Sequence, residues 1–234
     1  MTGRTGGRAS GRGAKVRVKT AARRRPSSTR WLERQLNDPY VAEAKRLGYR
    51  SRAAFKLVQL DDRFHFLGSG KRVVDLGAAP GGWTQVAAAR VAPAGKAPGR
   101  VVAADILPME AVPGATILQI DCSTMEAPAA IRNALGGAAD VVLSDMAPAA
   151  TGHAPTDHLR ILALAEAAFE TAAELLAPGG TFVVKVWQGG AGEELLTRLK
   201  RAFESVRHVK PEASRSESSE LYLVAQGFRG ATKA

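Results

Sequence analysis

From Lys71 onward the chain repeats one pattern, a short run rich in Val and Ile followed by a longer Ala- and Leu-rich stretch. Short apolar runs of this kind suit strands buried on both faces. The helical stretches between them are long enough to carry the chain back, so that successive strands lie parallel. The candidate strands are Arg72–Leu76, Arg100–Asp105, Thr116–Ile120, Asp140–Asp145 and Thr181–Trp187. The candidate helices are Trp83–Arg90, Ala127–Leu135, Asp157–Leu176 and Glu193–Phe203, the third stopped by Ala177-Pro178-Gly179-Gly180. Two closing strands, in Arg207–Lys210 and Glu220–Gln226, are joined by a Ser/Glu-rich loop and would place an antiparallel strand in the sheet. Upstream, Tyr40–Leu67 has apolar residues at three- and four-residue spacing, broken near Gly48-Tyr49, which predicts two short helices. The expected class is α/β, a doubly wound and largely parallel sheet.

At 234 residues with 45% hydrophobic content, one such domain with an appendage is expected. The appendage is residues 1–30, read as a disordered basic arm. Residues 31–234 form one domain, divided into N-terminal helices at 31–70 and an α/β core at 71–228. Net charge is +11, and Met1–Arg30 carries ten Lys and Arg with no acidic residue. A basic arm on a near-neutral body fits a phosphate-rich partner such as RNA or DNA, because neutralising phosphates releases counterions. A solubilising tail and a transit peptide are the alternatives, the second disfavoured because Val16 and Val18 are its only large apolar residues beyond the initiating Met. One cysteine, Cys122, excludes an internal disulfide, and the four histidines show no metal-ligand spacing. No apolar run approaches the roughly 20 residues of a membrane span. The expectation is a cytoplasmic monomer without a metal.

Chemistry concentrates where strands end. In Val73-Val74-Asp75-Leu76-Gly77-Ala78-Ala79-Pro80-Gly81-Gly82-Trp83 an apolar strand ends at an acid, runs through glycines and starts a helix. Glycine lets the backbone turn tightly and approach a ligand, and the helix N-terminus then faces that ligand. The spacing is not the dinucleotide G-x-G-x-x-G, and no Lys-Ser/Thr follows as in a triphosphate loop. With Asp75 leading, the segment resembles the first motif of methyltransferases that bind S-adenosylmethionine. Asp105 ends the next strand where a ribose diol would sit, and Asp121 ends the third where an adenine amino group could be bound. The residues following them, Ile106 and Cys122, belong to the same expected pocket. Strand-end acids also cap helices, which is the alternative for each. Lys185, inside the apolar run Thr181–Trp187, is costly to bury unless a carboxylate pairs with it, and Asp145 at the end of the neighbouring strand is the expected partner.

Five ordered segments make the chain similar to the FtsJ-like family of ribosomal RNA 2′-O-methyltransferases. They are Tyr49–Leu57, Asp75–Trp83, Ser144–Pro148, Val184–Gly189 and Lys210-Pro211 through Ser214–Tyr222, and the resemblance spans Tyr49 to Gly227. It implies a Rossmann-like methyltransferase fold, with a mostly parallel seven-stranded sheet, one antiparallel strand and helices on both faces. It also implies S-adenosylmethionine as cofactor, bound by Asp75, Gly77, Ala78, Pro80, Gly81, Gly82, Trp83, Asp105, Ile106, Asp121, Cys122 and Asp145. The family's catalytic Lys-Asp-Lys-Glu set falls on Lys56, Asp145, Lys185 and Glu220. The implied substrate is a uridine in the A-loop of large-subunit (23S) ribosomal RNA on the assembled 50S subunit, with transfer RNA as the alternative. Two features depart from the family pattern: the long basic arm, and Ser218-Ser219 before Glu220, where a basic residue is expected nearby.

A ribose hydroxyl is protonated at neutral pH, so methyl transfer needs help with its proton. Lys185 is the expected base. If charged, it would instead orient the hydroxyl or stabilise the developing alkoxide. Arg50 and Arg52, and Arg23, Arg24 and Arg25 of the arm, are the candidate RNA-binding residues, with a solvated helix face as the alternative for the first two. Two rival functions are a noncatalytic RNA-binding assembly factor and a nicotinamide-dependent dehydrogenase.

Overall fold

The computed structural model describes residues 29, 32–33, 35–92, 99–148, 151–188 and 192–230. The arm, with Arg23, Arg24 and Arg25, lies outside the described residues. Seven strands form one sheet in the order β3-β2-β1-β4-β5-β7-β6. They are β1 (Arg72–Leu76), β2 (Arg100–Asp105), β3 (Ala115–Gln119), β4 (Ala139–Ser144), β5 (Leu176–Trp187), β6 (Phe203–Val209) and β7 (Glu220–Phe228). Pairs among β1 to β5 are parallel, whereas β7 runs antiparallel to both β5 and β6. The mostly parallel seven-stranded sheet with one antiparallel strand is therefore observed.

Among the described residues the helices on the two faces include α1 (Pro39–Leu47), α2 (Ala54–Phe64), α3 (Gly82–Val91), α4 (Ala127–Leu135), α5 (Ala154–Leu175) and α6 (Glu193–Ala202). The Asp38 carboxylate caps α1 by accepting from Tyr40 N at 3.0 Å, and Gly48 ends that helix in the left-handed region at φ 75°. Strand alternation divides the core. Val74, Leu76, Val142, Phe182 and Val184 face one layer with Ile131 of α4 and Phe169 of α5. Val73, Val141, Leu143 and Val183 face the other with Leu57 and Leu60 of α2 and Trp83 of α3. Each fully buried Leu, Ile or Phe contributes about 1.5–3 kcal/mol. The functional residues thus sit on a scaffold with little freedom to shift.

Three elements start three or more residues before the sequence expectation, for physical reasons. β5 starts at Leu176 rather than Thr181, because the expected helix stop lies inside an irregular strand. Ala139 pairs with Leu176 but Val141 with Thr181, so extra residues bulge out, with Gly179 at φ 80°. β6 starts at Phe203 rather than Arg207, where Phe203 packs against Phe169, Phe182 and Phe228. α5 starts at Ala154 rather than Asp157, because Asp157 folds back to accept from Thr151 N and Oγ1 at 2.8 and 2.7 Å and from Gly152 N at 3.2 Å. No helix among the described residues is long and apolar enough to cross a membrane, and those residues contain no cluster of three metal-ligating side chains.

Candidate active site

β1 and β4 are sheet neighbours whose helical connections leave in opposite directions, and ligands of open α/β sheets bind outside the carboxyl ends of strands at such a switch point. Both sequence-selected groups lie there.

One wall is mostly backbone. Asp75 is buried with Oδ2 accepting from Thr84 Oγ1 at 2.7 Å, while Oδ1 has no hydrogen-bond partner among the described residues. Burial raises this carboxyl to about 7, against the Thr84 hydrogen bond and with help from the charges of Asp145 and Asp105. The chain then turns at Gly77, where φ is 70° and a Cβ would stand 2.2 Å from Met146 Cγ. Gly77 N and Ala78 N donate to Ala104 O at 2.8 and 3.3 Å. The Ala79-Pro80 peptide is cis, Gly81 caps α3 at φ 107°, and a Cβ on Gly82 would meet Ser51 Oγ. Trp83 is buried, donating Nε1–H to Ala53 O at 2.8 Å.

Asp105 links this loop to β2. Its Oδ2 accepts from Ala79 N and its Oδ1 from Leu107 N, both at 2.8 Å. Ile106 beside it is exposed. Asp121 is exposed too, and the Ser123 hydroxyl and amide donating to Oδ1 hold its carboxyl below the usual range. Cys122 points into the core, where burial pushes the thiol up to about 11 and removes it as a nucleophile.

The opposite wall is made of charged and polar side chains from α2, β5, β7 and the end of β4. Lys185 of β5 and Tyr222 of β7 are register partners, as are Trp187 and Glu220, so all four project from one face. Lys185 Nζ lies 3.0 Å from Asp145 Oδ1 and donates to Asp145 O at 2.6 Å. Tyr222 donates its hydroxyl to the same Oδ1 at 2.7 Å. Lys56 of α2 pairs with Glu220 Oε2 at 2.8 Å and sits 5.7 Å above the Tyr222 ring. Lys56 and Lys185 are each 5% exposed, an arrangement that stands only with paired charges. Tyr222 is wholly buried, and burial first, then the charges of Asp145 and Glu220, keeps its phenol protonated.

Tyr222 is absent from the sequence-selected set. The signal for it was the two-residue step from Glu220, which puts both on one face of a strand. The structure places two of the candidate RNA-binding arginines, Arg50 and Arg52, in contacts within the chain. Arg50 donates to Pro80 O, Glu110 O and Ala111 O at 3.1, 2.9 and 2.6 Å, bracing the glycine loop. Arg52 pairs with Asp38 at 2.9 Å and donates to Ala213 O at 2.5 Å. It lines a cleft of about 790 Å³ that also includes Arg215, Glu33, Asp38, Glu212 and Glu217, more acidic than a phosphate backbone would favour.

A glycine-turned pocket beside a buried Lys–Asp–Tyr and Lys–Glu constellation, on this sheet order, defines a Rossmann-like methyltransferase. The family model for FtsJ-like methyltransferases matches residues 49–228. "Ribosomal RNA large subunit methyltransferase E" of Paramagnetospirillum magneticum is 62% identical over 219 residues, covering 93% of this chain and 90% of that protein. The protein of the same description from Parvibaculum lavamentivorans is 58% identical over 242 residues, covering 98% and 95%. A crystal structure of a Plasmodium falciparum protein described as a ribosomal RNA methyltransferase superposes with a TM-score of 0.69 at 30% identity, covering 78% of this chain and all 100% of that one. The chain belongs to the FtsJ-like methyltransferase family, and the dehydrogenase reading falls.

Proposed function

We propose that this chain transfers methyl from S-adenosylmethionine to the ribose 2′-hydroxyl of a uridine in large-subunit (23S) ribosomal RNA, in the A-loop on the assembled 50S subunit. The observation that carries the reading is Asp145 held jointly by Lys185 and Tyr222 beside the glycine pocket. The names of the relatives support the ribosomal substrate.

The pocket residues fit the cofactor. The buried, unpartnered Asp75 Oδ1 suits a cationic amino group, and Gly77 leaves no room for a side chain where a ligand must pass closely. Asp105 would take the ribose, Ile106 would cover the adenine and Asp121 would bind its amino group. Ala78, Pro80, Gly81 and Gly82 shape the loop, with Trp83 and Cys122 beneath it. When bound, the cofactor supplies an electrophilic methyl group on a sulfonium.

Lys185 Nζ has two of its four tetrahedral positions directed at Asp145 O and Oδ1, besides the bond to its own chain. The remaining position is left for the substrate, in the cavity that Lys185 lines. There it carries either a lone pair that takes the hydroxyl proton or a proton that stabilises the developing alkoxide, the hydroxyl proton then passing to solvent. Asp145 and Tyr222 fix the amine in place, and the Glu220-paired Lys56 orients the ribose. The helices of 31–70 and the arm, including Arg23, Arg24 and Arg25, supply the remaining RNA contacts.

The test is transfer of labelled methyl to undermethylated large subunits by wild type and Lys185→Ala, with the product nucleotide mapped. Ribose methylation lost in the variant, with cofactor binding retained, supports the reading. Transfer to transfer RNA instead corrects the substrate, and no transfer by a cofactor-binding protein leaves the noncatalytic assembly factor. The pH profile separates the two lysine roles: a base loses rate as pH falls, an alkoxide stabiliser as pH rises.

A further inference from the structure

A cavity of about 190 Å³ opens beside Lys185 and Glu220, and nothing in the reaction scheme above uses its far side. Besides those two residues its lining includes the apolar side chains of Pro148, Ile161 and Trp187, with Asp157, Ser218 and Ser219 as polar groups. The Asp157 carboxylate is already engaged by Thr151 and Gly152. Trp187 follows Lys185 by two residues on the same face of β5, about 6–7 Å along the strand. A ribose whose hydroxyl is held at Lys185 brings its own base within one sugar's width of that amine, so the base needs a seat next to the lysine. Trp187 is half-buried, and its contact with His158 is edge-to-face, with centroids 6.5 Å apart and planes at 70°.

The polar edge is held rigidly. Lys210 Nζ donates to Ser216 O and Ser218 O at 3.0 and 2.8 Å, and Gln188 N donates to Ser219 O at 2.7 Å. Ser218 Oγ accepts from Glu220 N at 3.2 Å, so its own proton can be offered to a carbonyl oxygen. Apolar side chains with an indole, two serines and the carboxylates of Asp157 and Glu220 match a neutral heterocycle rather than a phosphate. They are also the surroundings that enzymes acting on extruded nucleotides offer the base.

We propose that this cavity seats the base of the target nucleotide, with Trp187 as its stacking platform and the Ser218-Ser219 segment facing its hydrogen-bonding edge. The seat rests on the ribose-methylation reading, since it is located by the sugar whose hydroxyl meets Lys185. It makes Trp187 a substrate-contacting residue that acts in binding and alignment rather than in proton transfer.

The experiment compares wild type, Trp187→Ala and Trp187→Phe on undermethylated large subunits. A second substrate is the same subunits reassembled with RNA lacking the target base but keeping its 2′-hydroxyl. The expected result is an about tenfold higher KM for the subunits in Trp187→Ala, the scale of one lost base–aromatic stack. Trp187→Phe should recover most of it, and cofactor affinity should not change. Base removal should penalise wild type but barely affect Trp187→Ala, a coupling that a merely structural tryptophan would not show. Equal penalties in both proteins, or an unchanged KM in Trp187→Ala, would overturn the base seat while leaving ribose methylation standing. Absence of wild-type transfer to the intact subunits would remove the functional reading and the seat with it.

Discussion

The two walls of the crevice are built from different materials. The β1–β2 wall is defined by backbone: Gly77 and Gly81 at positive φ, amides committed to Ala104 O, and an Asp105 whose oxygens hold loop amides. The β5–β7 wall is defined by side chains, with two buried lysines, two carboxylates and a phenol drawn from α2, β5, β7 and the end of β4. A backbone wall specifies shape and is damaged by adding atoms. A side-chain wall specifies charge and is damaged by removing them.

The largest expected effect comes from removal. Lys185→Ala should lower methyl transfer by about 10²–10⁴, the range for a positioned proton-transfer group, with cofactor affinity unchanged in a binding titration. Addition to the other wall should give the converse. In Gly77→Ala the new methyl meets Met146 Cγ at a backbone angle that L-residues seldom adopt, costing about 1–3 kcal/mol of stability and most cofactor affinity. Gly77→Ala with Met146→Ala should recover part of the affinity, because the clash is with a side chain. If Gly77→Ala binds cofactor normally, the backbone wall does not define the pocket's shape.

The same division explains what the sequence could tell. β1 and β2 end where expected because an apolar run meeting an acid and a turn is a local signal. The β5 start was hidden because Pro178-Gly179-Gly180 reads as a stop, and only pairing with β4 makes it a bulge. Lys185 was legible as an anomaly, a charge in an apolar strand that needs a partner, and Asp145 is that partner. The Lys56–Glu220 pair joins residues 164 apart, and only the family pattern linked them. Arg50 and Arg52 drew attention by charge, but where a guanidinium lands is decided by tertiary neighbours: three carbonyls for one, Asp38 for the other.

A smaller effect is expected inside the side-chain wall. Tyr222→Phe removes one of the donors on Asp145 Oδ1 while Lys185 keeps the other contact. A hydrogen bond to a charged group contributes about 1.5–3 kcal/mol, so thermal stability should fall accordingly. Methyl transfer should fall less than in Lys185→Ala. An equal loss in the two variants would show that Lys185 cannot act unless the phenol also holds Asp145 Oδ1.

The smallest effect crosses from one wall to the other. Asp75 belongs to the backbone wall yet is its one buried charge, and burial raises its carboxyl to about 7 from an ordinary value near 4. Between those values the folded protein holds a proton that the unfolded chain has lost. Asp75 therefore makes stability fall as pH rises from about 4 to about 7, with no further change above. Asp121 and Asp157, whose carboxyls hydrogen bonds hold low, act in the opposite sense at more acid pH. Asp75→Asn should accordingly flatten the dependence of Tm on pH between about pH 4 and 7 relative to wild type, where each kcal/mol moves Tm by about 2–4 °C in a domain of this size. If the cofactor's amino group meets Oδ1, it favours the ionised carboxylate, so binding at pH 6 should release a proton and affinity should rise with pH up to about 7. Calorimetry in two buffers of different ionisation enthalpy measures that proton directly. No release would mean that Asp75 stays protonated with cofactor bound and that its role is to hold Thr84 at the start of α3.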